Sequence, residues 1–218
     1  MRVFVNSILA LAAVLTFSAA LGLAQAKPGA KEVFRDSDGN LVSNNEFVDI
    51  RTANFNYPDA TIIKFLEDGT KEFRLQKVAQ EGMSAPPVSV RTIDGRSIAL
   101  ADLRGKVVVL NFWFIGCAVC RAMKPQLNEF KKRFAGNDDI VFLSMTEDPK
   151  SDVEKVLKKE PFDYLNAADA RVAMSQFSFR GFPKNIVIDR QGKIVYWRST
   201  IKAWDKFESM IRTELAKN

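Results

Sequence analysis

Cys117 and Cys120 are the only two cysteines of 218 residues, and the chain has no histidine. A C-x-x-C pair can serve redox chemistry, hold part of a metal site, act as a short staple, or lie inert in a core. Its setting separates these uses. Residues 107–114 (VVVLNFWF) are an apolar run that opens on β-branched residues, as in a strand buried on both faces. Gly116 breaks the run, and the cysteines follow where an amphipathic pattern begins. There the first thiol meets unpaired backbone N–H groups and the positive end of a helix dipole, which favour its thiolate. The second thiol, one turn on, is placed to resolve a mixed disulfide. The alternatives stay open but weaker. A zinc site needs about four ligands, and histidine can supply none here. A staple closing so short a ring is worth roughly 2 kcal/mol, against about 4.7 for a long loop. An inert pair has no reason to stand at a strand-to-helix junction.

The elements around the pair follow from pattern. Met123, Leu127, Phe130 and Phe134 recur at helical spacing, with Arg121, Lys124, Glu129, Lys131 and Lys132 mostly off that stripe. Residues 88–93 and 97–100 flank Asp94-Gly95 as a hairpin, and 140–145 is a buried strand. A charged helix is predicted over 151–159, capped by Ser151 and stopped by Pro161. A short strand at 162–165, a helix at 168–177, a hairpin at 184–189 and 193–197, and a helix at 204–216 complete the chain. The β-α-β half followed by a β-β-α half predicts a thioredoxin-like α/β fold, a central mixed β-sheet flanked by helices, over residues 81–218. Residues 27–80 read as a small β-rich N-terminal extension of about four strands. Its clearest part is a hairpin of 61–66 and 71–75 around Asp68-Gly69. The extension is either a cap on the main sheet or a docking surface for partners.

Residues 1–26 have the form of a signal peptide: a basic start, an apolar stretch and Ala24-Gln25-Ala26. The alternative is an uncleaved anchor, since residues 3–24 as a helix would reach about 33 Å. Cleavage after Ala26 is expected to leave the protein periplasmic or otherwise extracytoplasmic, where disulfides are exchanged. Formal charge is +6, with lysine and arginine spread among acids and no basic block, so no nucleic-acid partner is expected. The missing histidines remove Ser-His-Asp and Cys-His catalysis together with histidine ligation of haem or metal. Neither a metal nor another cofactor is predicted.

Dispersed motifs then agree with one family. Residues 82–86 (GMSAP), Asp94-Gly95, residues 103–113 (LRGKVVVLNFW), Cys117, Cys120 and Pro125 resemble TlpA/ResA-like thiol–disulfide oxidoreductases. Gly181-Phe182-Pro183 and residues 186–193 (IVIDRQGK) do so as well. The resemblance implies an extracytoplasmic enzyme with Cys117 attacking, Cys120 resolving and Pro183 as a cis-proline facing this redox-active disulfide. Gly181, Phe182 and Trp113 are the expected substrate-binding residues. Placement of Pro183 just before a central strand also favours a cis bond. The departures are Gly116 and Val119 where the family has tryptophan and proline, Asn111 for the buried aspartate, and Met123 where a glutamate is common. Glu147, at the end of the strand over 140–145, is the substitute proton acceptor expected from position. The apolar Ala118-Val119 favours reduction of exported protein disulfides, as in cytochrome c maturation or disulfide repair, recharged by a membrane thiol electron donor. A peroxiredoxin-like thiol peroxidase lacks its Thr-x-x-Cys setting here. A redox-regulated binding protein is the remaining class.

Overall fold

A computed structural model of the protein describes residues 31–54 and 59–217. The predicted leader over residues 1–26 lies outside them. The described elements in chain order are β1 (Glu32–Arg35), β2 (Leu41–Val42), α1 (Asn44–Thr52), β3 (Thr61–Phe65), β4 (Lys71–Leu75), β5 (Ser89–Arg91) and β6 (Ser97–Ala99). They continue with β7 (Val107–Trp113), α2 (Ala118–Lys132), β8 (Ile140–Thr146), α3 (Lys150–Lys159) and β9 (Leu165–Ala167). The last four are α4 (Arg171–Ser175), β10 (Lys184–Ile188), β11 (Ile194–Arg198) and α5 (Trp204–Ala216).

The central sheet has the order β11-β10-β7-β8-β9. Strand β7 runs parallel to β8 and antiparallel to β10, so the sheet is mixed and β7 lies at its centre. Every residue of β7 is buried, and alternation along the strand divides the core in two. Val108, Leu110 and Phe112 join the cluster on one face, with Met174, Phe177 and Trp197. Val107, Val109 and Trp113 face the other way, against Leu127 and Phe130 of α2 and Phe207 and Ile211 of α5. Phe130 alone touches Phe134, Phe142, Trp204 and Phe207 at 5.0–6.4 Å between ring centroids. No helix among the described residues is long and apolar enough to cross a membrane.

The extension forms a second sheet, β2-β1-β4-β3, with β1 and β4 parallel. It also contains α1, a helix that a purely β reading misses. The Ser43 hydroxyl accepts the Glu46 N–H at 3.2 Å, and Phe47 buries the helix against Phe34 and Phe73. Other differences are local. Helix α3 begins at Lys150 with Pro149 as its cap rather than Ser151, because Asp169 Oδ2 already accepts the Lys150 N–H at 3.1 Å. Asp169 has φ +53°, a conformation no helix continues through, so α4 starts only at Arg171 and is five residues long. The strand expected at 162–165 pairs instead over Leu165–Ala167, where Leu143, Ser144 and Met145 of β8 offer its partners.

Residues 31–217 belong to one compact unit, and a buried polar seam joins the extension to β10 and β11. Lys184 Nζ donates to Asn54 Oδ1 at 2.7 Å and to Ser199 Oγ at 3.1 Å. Arg198 pairs with Asp59 at 2.9 Å and Glu81 at 2.6 Å. The Thr200 N–H donates to Ala53 O at 2.9 Å.

Candidate active site

The parallel pair β7–β8 delivers its chain ends to one edge of the sheet, and α2 starts there. Cys117 is the N-cap of α2, with its own backbone extended and its sulfur accepting the Cys120 N–H at 3.1 Å. Cys117 and Cys120 are joined in a disulfide with Cα atoms 5.2 Å apart. Cys117 is 7% exposed and Cys120 3%, so the first cysteine is the more exposed residue of the pair. Ala118 and Val119 between them are exposed. A sulfur at this cap shares the unpaired N–H groups of the first turn, the setting in which a thiolate is favoured.

The segment leading into the pair is held by a carboxylate. Asp148 Oδ2 accepts the Ile115 N–H at 2.7 Å and the Thr146 hydroxyl at 2.6 Å. Its neighbour Glu147 turns to Arg171 at 3.2 Å instead. Strand-end residues alternate sides, and it is Asp148 that meets the cysteine loop.

Phe182-Pro183 is a cis peptide, with Gly181 before it at φ +67°, where only glycine is at ease. Pro183 is buried. Phe182 is half-buried and packs on the clusters of both sheet faces, including the one holding Cys117 and Cys120. Its ring meets Phe114 at 5.0 Å and Phe179 at 5.1 Å. Phe179 meets Phe112 at 5.0 Å in turn. An aromatic wall therefore runs from the loop before Cys117 to the segment before β10.

Asn111 donates to Asn185 Oδ1 at 2.9 Å, and Asn185 donates to Ser199 O at 3.0 Å. Met123 is buried and apolar. Trp113 is fully buried, its indole N–H donating to Ser144 Oγ at 3.3 Å, so it supports the site from behind. Lys124, expected on the polar face of α2, is only 3% exposed. Its ammonium stands 3.6 Å from the centroid of the Trp113 ring. Burial pushes it down to about 8, with Glu160 and Asp148 opposing that shift and Arg121 adding to it. Sequence reasoning missed Lys124 and Asp148; the seven-residue step from Cys117 to Lys124 was the available signal for the first. No group of side chains able to hold a metal occurs among the described residues.

The Redoxin family profile matches residues 80–206. The chain is 28% identical over 117 residues to the thioredoxin-like protein YneN of Bacillus subtilis, spanning 53% of this chain and 69% of that protein. It is also 28% identical over 117 residues to the thiol-disulfide oxidoreductase ResA of Bacillus cereus, spanning 53% and 68%. A crystal structure from Chlorobium tepidum, provisionally named thiol:disulfide interchange protein DsbE, superposes with a TM-score of 0.56 at 26% identity. That superposition covers 62% of this chain and 98% of the Chlorobium chain. These relatives' names describe thiol–disulfide exchange, and this chain carries a C-x-x-C disulfide at the head of α2. This chain belongs to the Redoxin family, among its thioredoxin-fold, TlpA/ResA-like thiol–disulfide oxidoreductases.

Proposed function

We propose that the protein reduces disulfides of exported proteins outside the cytoplasm. The observation that carries this reading is the Cys117–Cys120 disulfide at the head of α2, with the more exposed cysteine at the helix cap. In the reduced enzyme the Cys117 thiolate attacks one sulfur of a substrate disulfide. That bond breaks, a mixed disulfide forms, and the departing substrate thiolate takes a proton from solvent. The Cys120 thiol then loses its proton and attacks Cys117 Sγ, expelling the second substrate thiolate. The protein dithiol gives up two electrons and two protons, and the substrate disulfide gains both. A membrane thiol donor returns the enzyme to its dithiol state.

Phe182 offers its backbone beside Pro183 for antiparallel pairing with an extended substrate, and Gly181, at φ +67°, turns the chain into that position. The Phe114–Phe182–Phe179 wall selects apolar residues flanking the substrate cysteine. The apolar Ala118-Val119 adds no charge between the thiols, which suits a reductant such as one serving cytochrome c maturation. Export rests on the form of residues 1–26.

Insulin-disulfide reduction with dithiothreitol as donor tests the activity. The wild-type protein should accelerate it, Cys117→Ser should abolish it, and Cys120→Ser should accumulate mixed disulfides. Consumption of hydrogen peroxide with a thiol donor, without insulin reduction, would overturn the reading in favour of a peroxidase.

A further inference from the structure

Lys124 is a buried cation without a conventional partner. Its Nζ makes no hydrogen bond among the described residues. It rests on the Trp113 ring, with the Phe162 ring centroid 5.9 Å away. Burying an ammonium is costly unless it is paired, and a π-face offsets only part of that cost. The charged groups facing it are Arg121 on its own helix, Glu160 beyond the end of α3 and Asp148 beyond the end of β8. Both carboxylates are engaged elsewhere. Glu160 is bound by Arg121, and Asp148 by the Ile115 N–H and the Thr146 hydroxyl.

The position of Lys124 supplies what the oxidised site lacks. Lys124 follows Cys120 by four residues and Cys117 by seven, so on a helix of 3.6 residues per turn the three side chains share one face. A lysine side chain on a helix leans back over the preceding turn, toward the helix N-terminus. That is where both sulfurs are. In the disulfide they are neutral; on reduction a thiolate appears at the same end of the helix. Met123, buried in the same cluster as both cysteines, carries no charge.

We propose that the Lys124 ammonium is the charge partner of the active-site thiolate in the reduced enzyme, held in place by the Trp113 ring. This rests on the oxidoreductase reading above and names the residue that regulates its nucleophile. Lys124 keeps its proton through both exchange steps and acts through space, as a positioning residue rather than a catalytic one. Its ammonium is strained by burial in the oxidised state and relieved in the reduced state, so reduction and the lysine's proton affinity are coupled.

The test is the rate of iodoacetamide alkylation of the reduced full-length protein as a function of pH, followed with thiolate absorbance. In Lys124→Met the inflection should rise by about one pH unit, lowering the alkylation rate near neutrality about tenfold. Lys124→Arg should restore most of it. Coincident wild-type and Lys124→Met profiles would overturn the proposal. A second measurement needs no variant that must fold: NMR titration of the Lys124 ammonium in the wild-type protein. It should titrate at higher pH in the reduced than in the oxidised form, and identical titrations would overturn the proposal. Insulin reduction by the wild type separates the two claims. Activity with an unchanged Lys124→Met profile removes only the charge partner. No insulin reduction, with a shifted profile, removes the function and leaves the charge partner standing.

Discussion

Asp148 shows how much one carboxylate oxygen can organise. Its Oδ2 collects the Ile115 N–H and the Thr146 hydroxyl, tying the approach to Cys117 to the end of the neighbouring strand. Replacing it with alanine removes a charged acceptor from two donors and should destabilise the protein by about 1–3 kcal/mol in urea melts. Asp148→Asn, which keeps an oxygen, should lose less. Glu147→Gln gives up only a pair with Arg171, whose side chain is 75% exposed, and should stay within about 0.5 kcal/mol of wild type. Equal losses at the two positions would refute this division. At this scale the cysteines were legible from residue type and spacing, and Gly181-Phe182-Pro183 from the family resemblance and from its placement before a central strand. Lys124 and Asp148 were not. Lys124 looks like any solvated helix lysine until the depth of its helix face is known. Asp148 differs from Glu147 by one residue at a strand end, and the side on which that strand's alternation runs out cannot be read from pattern.

Among the elements, the long periodic ones followed their sequences. Strand β7, α2 and α5 each carry an apolar pattern of a single period, and local and tertiary preferences agree. The short ones did not. Helix α4 was shortened by Asp169 in the left-handed region, and α3 took a proline cap because a distant aspartate satisfied its first N–H. Neither event leaves a local trace. Helix α1 did leave one: Ser43-Asn44-Asn45-Glu46 is a serine followed three residues later by glutamate, the pattern that opens many helices. Ser43→Ala should therefore cost about 1 kcal/mol, read as a lower urea midpoint. No change in midpoint would mean that packing of Phe47 alone fixes the helix start.

For the molecule as a whole, two buried lysines set a pH dependence. Lys184 is pushed down to about 8 by burial and by Arg198, and Lys124 to about 8 chiefly by burial. In the unfolded chain both hold their protons to about pH 10.4. Between about pH 8 and 10.4 the unfolded chain binds more protons than the folded one, so stability should rise with pH across that window. Urea midpoints of the oxidised protein measured from pH 7 to 10.5 check this, and Lys184→Met should flatten the rise. A midpoint that falls over the same range would show that both ammonium groups are comfortably charged in the fold. The plan of a mixed sheet with helices on both faces was legible at this scale, because strands and helices in the order β7-α2-β8-α3-β9-α4-β10-β11-α5 admit few topologies. The joining of the extension to β10 and β11 was not, since polar partners far apart in the chain carry no periodic signature.

That joining also has a direction in time. Lys184 follows Asn54 by 130 residues and Arg198 follows Asp59 by 139. A chain synthesised N-terminus first at about 5–20 residues per second exposes Asn54 and Asp59 for roughly 6 to 28 seconds before their partners exist. Until then the first-made segment has its own small sheet but nowhere to anchor its polar rim. The strand that follows Pro183 is thus locked to the extension only after Lys184 and Arg198 have emerged, so the segment flanking the thiols is fixed late.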